Sequence, residues 1–322
     1  MQVQLALSLD DVSLVPRYSE LDSRDEVQLG TDLDFVHLDI PIISSPMDTV
    51  TGIEMQDAIR RCGGIGIHHR YTDTNTLIQA YSHGGIAVSP SMGTKWLEAI
   101  SEPVRGYGVL VIDVAHGHSK RVLQYAKELW DMGFYVISGN ICTVSAAEAY
   151  LDIGVNLLRV GIGSGSSCST RLVAGVGVPQ FTAVQDISRI FGSEAKVISD
   201  GGIKHSGDIT KALAAGANAV MVGRLVAGAD EAPGRHVSDN YKEFRGMASL
   251  PSLDAAGKER NIEGVASHVK LEGPLSGIME RVARELRIGF AYLGAHNIQE
   301  LQERAEFVQV TTLGLDEGRP RI

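Results

Sequence analysis

Residues 196–224 read KVISDGGIKHSGDITKALAAGANAVMVGR. KVISDGG from Lys196 is a short β-branched run that ends in small and polar residues. SGDITKALAAGA from Ser206 has helical periodicity, and AVMVGR from Ala219 is a second apolar run. Two strands joined through a helix over this length form a parallel βαβ unit, because parallel neighbours need a crossover connection. The same grammar extends toward the N-terminus through PIISSPMD from Pro41, GIGIHH from Gly64, GIAVSPS from Gly85, GVLVIDV from Gly108, FYVISGN from Phe134 and NLLRVGI from Asn156. Most of these runs start roughly 20 to 26 residues apart, with helical stretches such as SKRVLQYAKELWDMG between them. Eight such units predict an α/β fold, a closed (β/α)8 barrel rather than an open doubly wound sheet. No interdomain linker interrupts them, so residues 1–322 are expected to form a single domain.

One interval is oversized. About 40 residues separate the starts of the sixth and seventh strands, and they contain GIGSGSSCSTRLVAGVGVPQ, residues 161–180. A long Gly- and Ser-rich loop at the C-terminal end of a barrel strand lies where this fold concentrates its chemistry. A second irregular region, about 241–274, follows the last strand and reads as a mobile flap. SGIMERVARELRIGFAYLGAHNIQELQERAEFVQV, from Ser276, then returns to helical periodicity and is expected to close the barrel.

Composition limits the partners. With 322 residues, 44% of them hydrophobic, the chain can bury a large core, and a net charge of −10 opposes a nucleic-acid backbone or an anionic membrane surface. No run approaches the ~18 apolar residues of a membrane span, and MQVQLALSLDD has no basic region preceding an apolar one. A cytoplasmic location is therefore expected. Cys62, Cys142 and Cys168 are odd in number and widely spaced, which disfavours disulfides and structural zinc and leaves room for one reactive thiol.

The alternating Gly161, Gly163 and Gly165 permit backbone shapes that aim several polar groups at one point, and Thr170 lies two residues after Cys168. Alone, this loop fits a tight turn with a bystander cysteine equally well. Its context adds to it, because the seventh and eighth strands end in Asp200-Gly201-Gly202 and Gly223-Arg224, where barrels commonly build a phosphate site. Backbone amides of Gly202 and Gly223 at helix N-termini suit phosphate oxygens, and Asp200 suits ribose hydroxyls. A nucleoside monophosphate fits that set.

LSLDDVSLVP, PIISSPMDTV, GGIGIHH, DVAHGHSK, SGNICT, VGIGSGSSCSTRLVAGVGVPQ, ISDGGIKHSGDITKAL, MVGRLVAGADEAPG, FRGMAS and AYLGAHNIQEL cover nearly the whole chain in order. Together they resemble the successive signatures of the IMP dehydrogenase/GMP reductase family. The resemblance implies that Cys168 is the nucleophile that attacks C2 of a purine nucleoside monophosphate, with the Thr170 hydroxyl beside it. It further implies substrate contacts at Ser45, Met47, Ser166, Asp200, Gly202, Gly223, Gly246 and Met247, and dinucleotide contacts at Asp113, Asn140 and His69. Carbonyls of Gly163, Gly165 and Cys168 match potassium ligands in many dehydrogenases, with Glu317 completing a neighbouring subunit's site. A homotetramer is implied as well. The chemistry suits these residue types, since a thiolate is a strong nucleophile and a covalent adduct divides the substitution into easier steps.

Two reactions share this machinery: oxidation of IMP with NAD, and reductive deamination of GMP with NADPH. The flap lacks the adjacent Arg-Tyr pair by which dehydrogenases activate water, and instead carries Arg260 and Glu263 in the Arg-x-x-Glu-Gly pattern of the reductases. Glu263 with Thr170 then forms an acid/base relay, and the expectation is a GMP reductase using NADPH. The alternative is an IMP dehydrogenase using NAD, or the same chemistry on a related purine nucleotide. AGVGVPQ, EAPG and DVAHGHS are closer to bacterial dehydrogenases, and Val265 stands where reductases often carry a basic residue. Arg224 occupies a position where relatives usually carry Ser or Gly, and Phe244 one where many carry a phosphate-contacting Tyr. Arg224 is therefore expected to bind the phosphate itself. Between His69 and Asp113 there is space only for a helix, a strand and another helix, so the paired regulatory domains of many relatives are missing.

Blander readings accompany these. Cys62 and Cys142 read as core residues, His68 and His69 as polar strand ends, and His116 with His118 as a pair lacking a third metal ligand. Met47 and Met247 read as packing residues apart from the resemblance. A catalytically silent nucleotide-binding barrel, or a barrel of unrelated chemistry on the same phosphate site, are the other classes to separate.

Overall fold

The computed structural model describes residues 3–100, 108–249, 252, 262 and 264–318. Strand β1 (Val12–Leu14) and the hairpin β2 (Thr31–Asp32) and β3 (His37–Leu38) precede the barrel. The barrel strands are β4 (Ile42–Ser44), β5 (Ile65–His68), β6 (Gly85–Val88), β7 (Leu110–Ile112), β8 (Val136–Ile137), β9 (Leu157–Val160), β10 (Lys196–Asp200) and β11 (Ala219–Val222). All eight coincide with the runs read from the sequence. Each pairs in parallel with the next, and β11 pairs with β4 at Val220↔Ile42 and Met221↔Ile43, which closes the ring.

Side chains alternate across each strand, so one parity fills the barrel and the other faces the helices. Ile43, Ile65, Ile67, Ala87, Val111, Ile137, Leu157, Ile198 and Met221 fill the interior, and Leu33, Phe35 and Leu38 of the hairpin belong to the same cluster. Ile42, Ile86, Leu110, Ile112, Val136, Leu158, Val160, Val197 and Val220 pack in the outer core. Burial of each such Val, Leu, Ile, Phe or Met side chain contributes roughly 1.5–3 kcal/mol. The C-terminal helix Leu275–Leu293 packs on the helices Ile53–Arg61 and Ser206–Ala214, covering the β11–β4 seam. The seam itself is closed by strand pairing, and the expected helical closure acts as its cover.

The flap differs from its sequence reading. Its ends are strands, for β13 (Tyr241–Arg245) pairs antiparallel with both β12 (His236–Ser238) and β14 (Ala266–Lys270). The period-2 burial of Lys242 and Phe244 explains why β13 holds as a strand. Lys242 is 1% exposed and donates to the carbonyls of Ala229, Asp230 and Ala232 at 2.9, 3.2 and 2.5 Å, which ties β13 to the turn after β11. Burial pushes its pKa below the ordinary lysine value. Arg260 and Glu263 lie outside the described residues. Past the flap, β15 (Phe307–Gln309) returns to pair antiparallel with β1. No helix among the described residues is long and apolar enough to cross a membrane.

Candidate active site

Strand parity aims a specific set of side chains at the C-terminal mouth. Leu157 and Ile198 fill the barrel, so two residues on Arg159 and Asp200 have the same sense, as does Asp113 two residues after Val111. They meet there. Arg159, only 6% exposed, donates through Nε to Asp200 Oδ2 at 2.8 Å and through Nη1 to Asp113 Oδ1 at 3.2 Å. Asn140 Nδ2 also donates to Asp200 Oδ2 at 2.8 Å, and Arg70 Nε donates to Asp113 Oδ2 at 3.1 Å. Burial opposes the charge on Arg159, but the Asp200 and Asp113 carboxylates outweigh it and hold its pKa above the ordinary value.

These residues line a cavity of about 390 Å³, within the ~300–1,000 Å³ typical of ligand sites. Of the residues read from the sequence, Ser45, Met47, Asp113, Asn140, Gly163, Gly165, Ser166, Cys168, Thr170, Asp200, Gly202, Gly223, Arg224, Gly246 and Met247 all line it. Cys168 is exposed, with Sγ donating to Thr170 Oγ1 at 3.2 Å. Cys62 and Cys142 are half-buried, and burial pushes both thiols above the ordinary cysteine value. Cys168 is thus the accessible thiol of the three.

Close backbone approach fixes the cysteine loop. A Cβ on Gly161 (φ +153°) would collide with the Asp200 carbonyl, and one on Gly201 (φ +95°) with Ser164 Oγ and Gly165 N. Loop and flap are also joined, through an isolated antiparallel bridge between Cys168 and Gly264 and a bond from Val265 N–H to the Ser167 carbonyl at 3.0 Å. Arg245 in turn anchors the flap to the loop after β4, donating to Asp48 Oδ2 from Nε at 3.1 Å and from Nη2 at 2.7 Å.

Several placements depart from expectation. Gly202 N–H donates to the Ser164 carbonyl at 3.0 Å, so this amide holds the cysteine loop in place of a phosphate. Gly223 is followed by hydrogen-bonded turns, Val226 N–H to Gly223 O and Ala227 N–H to Arg224 O, and no helix begins there. A Cβ on Gly223 would come 3.0 Å from Met47 Sδ. His69 does not line the cavity; it is half-buried, stacked on His68 at 4.7 Å between ring centroids. Burial is the main cause that lowers its pKa to about 4. Glu317 ends the helix Thr312–Glu317, which packs on the turn Leu9–Asp11. It does not line the cavity either. The Gly165 carbonyl, one of those expected on potassium, accepts the Cys168 N–H at 3.0 Å and retains a second lone pair.

Arg224 is exposed at the cavity, its guanidinium carbon 5.7 Å from the Phe244 ring centroid, and makes no ion pair among the described residues. Arg70, Arg159, Asp48 and Arg245 were not singled out by the sequence reading. Arg159 alone had a signal, as a charge inside the apolar run NLLRVGI.

The family model described as IMP dehydrogenase / GMP reductase domain matches residues 6–321. The chain belongs to this family. Inosine-5'-monophosphate dehydrogenase of Cryptosporidium parvum is 36% identical over 97% of this chain and 94% of its own length. The protein of that name from Borreliella burgdorferi is 35% identical over 98% and 96%, and the one from Aquifex aeolicus 41% identical over 73% and 52%. Members of the IMP dehydrogenase/GMP reductase family are NAD(P)-dependent oxidoreductases, and the chain is an enzyme of this type. Between β5 and β7 the described residues hold the helix Thr74–Tyr81, β6 and a 3-10 turn at Lys95–Ala99. The turn stands where a second helix was expected, and residues 101–107 lie outside the described ones. The interval is too short for the family's paired regulatory domains.

Proposed function

We propose that the chain oxidises IMP at C2 with NAD through a covalent adduct on Cys168. The observation that carries the chemistry is the exposed Cys168 thiol beside Thr170, in one cavity with Asp200 and Arg224. The Cys168 thiolate adds to C2, the hydride on C2 leaves to the nicotinamide, and water then displaces the thiolate to give XMP. Bound NAD supplies a hydride acceptor. Asp113 and Asn140 line the cofactor side of the cavity, Asp200 accepts ribose hydroxyls and Arg224 pairs with the phosphate. Potassium on the carbonyls of Gly163, Gly165 and Cys168, with Glu317 from a neighbouring subunit of a homotetramer, belongs to the same reading, as does one catalytic unit spanning the chain.

The direction rests on the relatives, which are named IMP dehydrogenases; this favours the alternative over the reductase expected first from the flap. One observation favours reductive deamination of GMP with NADPH. Gly264, the bridge partner of Cys168, directly follows Glu263, and residues 246–273 contain no adjacent Arg-Tyr pair. In that reading Cys168 adds to C2, ammonia leaves with a proton managed by Glu263 and Thr170, and hydride delivery to C2 releases the thiolate.

Absorbance of the reduced dinucleotide separates the readings. A rise with IMP plus NAD is expected. A fall with GMP plus NADPH, with no rise in the first mixture, would reverse the direction, and silence in both would overturn the assignment.

A further inference from the structure

Arg159 joins two carboxylates that line the cavity. Its planar guanidinium bonds Asp200, at the end of β10, from Nε at 2.8 Å and Asp113, beyond the end of β7, from Nη1 at 3.2 Å. Each carboxylate has a second donor, Asn140 Nδ2 on the same Asp200 Oδ2 and Arg70 Nε on the other oxygen of Asp113, Oδ2. Asn140 Nδ2 also donates to the Gly161 carbonyl at 2.8 Å, and Arg159 N–H donates to Ser138 Oγ at 3.1 Å, so strand ends clamp the array. Two guanidinium and two carboxylate groups make it neutral, and every member lines the cavity. Asp200 Oδ2 accepts both of its bonds, and Oδ1 has no protein partner among the described residues.

We propose that Arg159 is a positioning residue that couples nucleotide and dinucleotide binding, transmitting occupancy at Asp200 to the orientation of Asp113. The proposal rests on the functional reading above, in which Asp200 meets the ribose and Asp113 the nicotinamide end. The physical basis is charge sharing. Hydroxyl donation to Asp200 spreads its negative charge and weakens its hold on Arg159, whose fixed fork then bonds Asp113 more strongly. Linkage requires the effect to be reciprocal.

IMP with NADH is the probe pair, because neither direction of the reaction consumes that combination. Titration calorimetry gives the NADH dissociation constant of the full chain with and without saturating IMP. IMP is expected to tighten NADH binding in the wild type, and Arg159→Lys is expected to reduce that tightening about 5-fold or more. A merely structural role would weaken both ligands and leave the ratio unchanged; an unchanged ratio in Arg159→Lys overturns the proposal and leaves the functional reading intact. Asp113→Asn, which keeps the side chain's shape, decides the matter should the lysine variant not fold. It is expected to change IMP affinity about 3-fold or more with no NADH present, and unaltered IMP affinity overturns the proposal. A wild type that binds neither ligand overturns the functional reading, and this proposal with it.

Discussion

The backbone of Cys168 pairs with that of Gly264 in an antiparallel bridge, so the loop carrying the thiol and the base of the flap form one hydrogen-bonded unit. A Cβ on Gly264 would come 3.0 Å from Ser249 N, 3.2 Å from Ala248 C and 3.3 Å from Ser167 O, all of them backbone atoms. Gly264→Ala is therefore expected to push the flap off the cysteine loop and lower kcat roughly 10-fold or more, since small misplacements of reacting groups are costly. Steady-state kinetics paired with calorimetry checks this: kcat falls while Tm moves by only a few degrees. Unaltered kcat in Gly264→Ala would show that the pairing is catalytically idle.

Arg224 presents a guanidinium to the cavity without a carboxylate partner among the described residues. Loss of a charge-assisted bond to phosphate in Arg224→Ala is expected to raise the nucleotide KM roughly 10- to 100-fold. Turnover at saturation should change little, because the contact is the same in ground and transition states. Arg224→Lys should restore part of the loss as a point charge. A KM in Arg224→Ala equal to that of the wild type would place the phosphate elsewhere.

His69 gives a pH dependence to stability. Burial, aided by neighbouring His68, lowers its pKa from the ordinary 6.5 to about 4, and its Nδ1 has no hydrogen-bond partner among the described residues. The unfolded chain protonates His69 near pH 6.5 while the folded chain resists until about pH 4. Stability contributed by this group is therefore complete above pH 6.5 and is lost progressively as pH falls toward 4, amounting to roughly 3 kcal/mol over the window. Denaturant unfolding at pH 7 and pH 5 should show a smaller loss in His69→Gln than in the wild type. Equal losses would contradict this.

The barrel was legible because eight short apolar runs recur at the spacing of a βα unit, and every one of them became a strand in parallel register. The cavity lining was legible for a related reason, since Asp113, Asp200 and Gly223 follow apolar runs with the parity of the barrel interior. The same parity reaches Arg159, a charge inside an apolar run whose purpose shows only once its two carboxylates are seen across the barrel mouth. The Asp48–Arg245 pair joins residues 197 apart and has no local signature. The strand β13 was hidden because Lys242, a charged residue, occupies a buried position satisfied by three carbonyls from another turn. The Gly202 amide, read from the sequence as a phosphate donor, bonds the Ser164 carbonyl, a partner 38 residues away that no local pattern announces.

A bond between Cys168 Sγ and C2 of a purine nucleotide is detectable by mass spectrometry of acid-quenched enzyme after mixing with IMP and NAD. A peptide containing Cys168 and heavier by one nucleotide is expected, absent from Cys168→Ser, with no turnover in that variant. Full turnover by Cys168→Ala, or a nucleotide attached to a different residue, would contradict it.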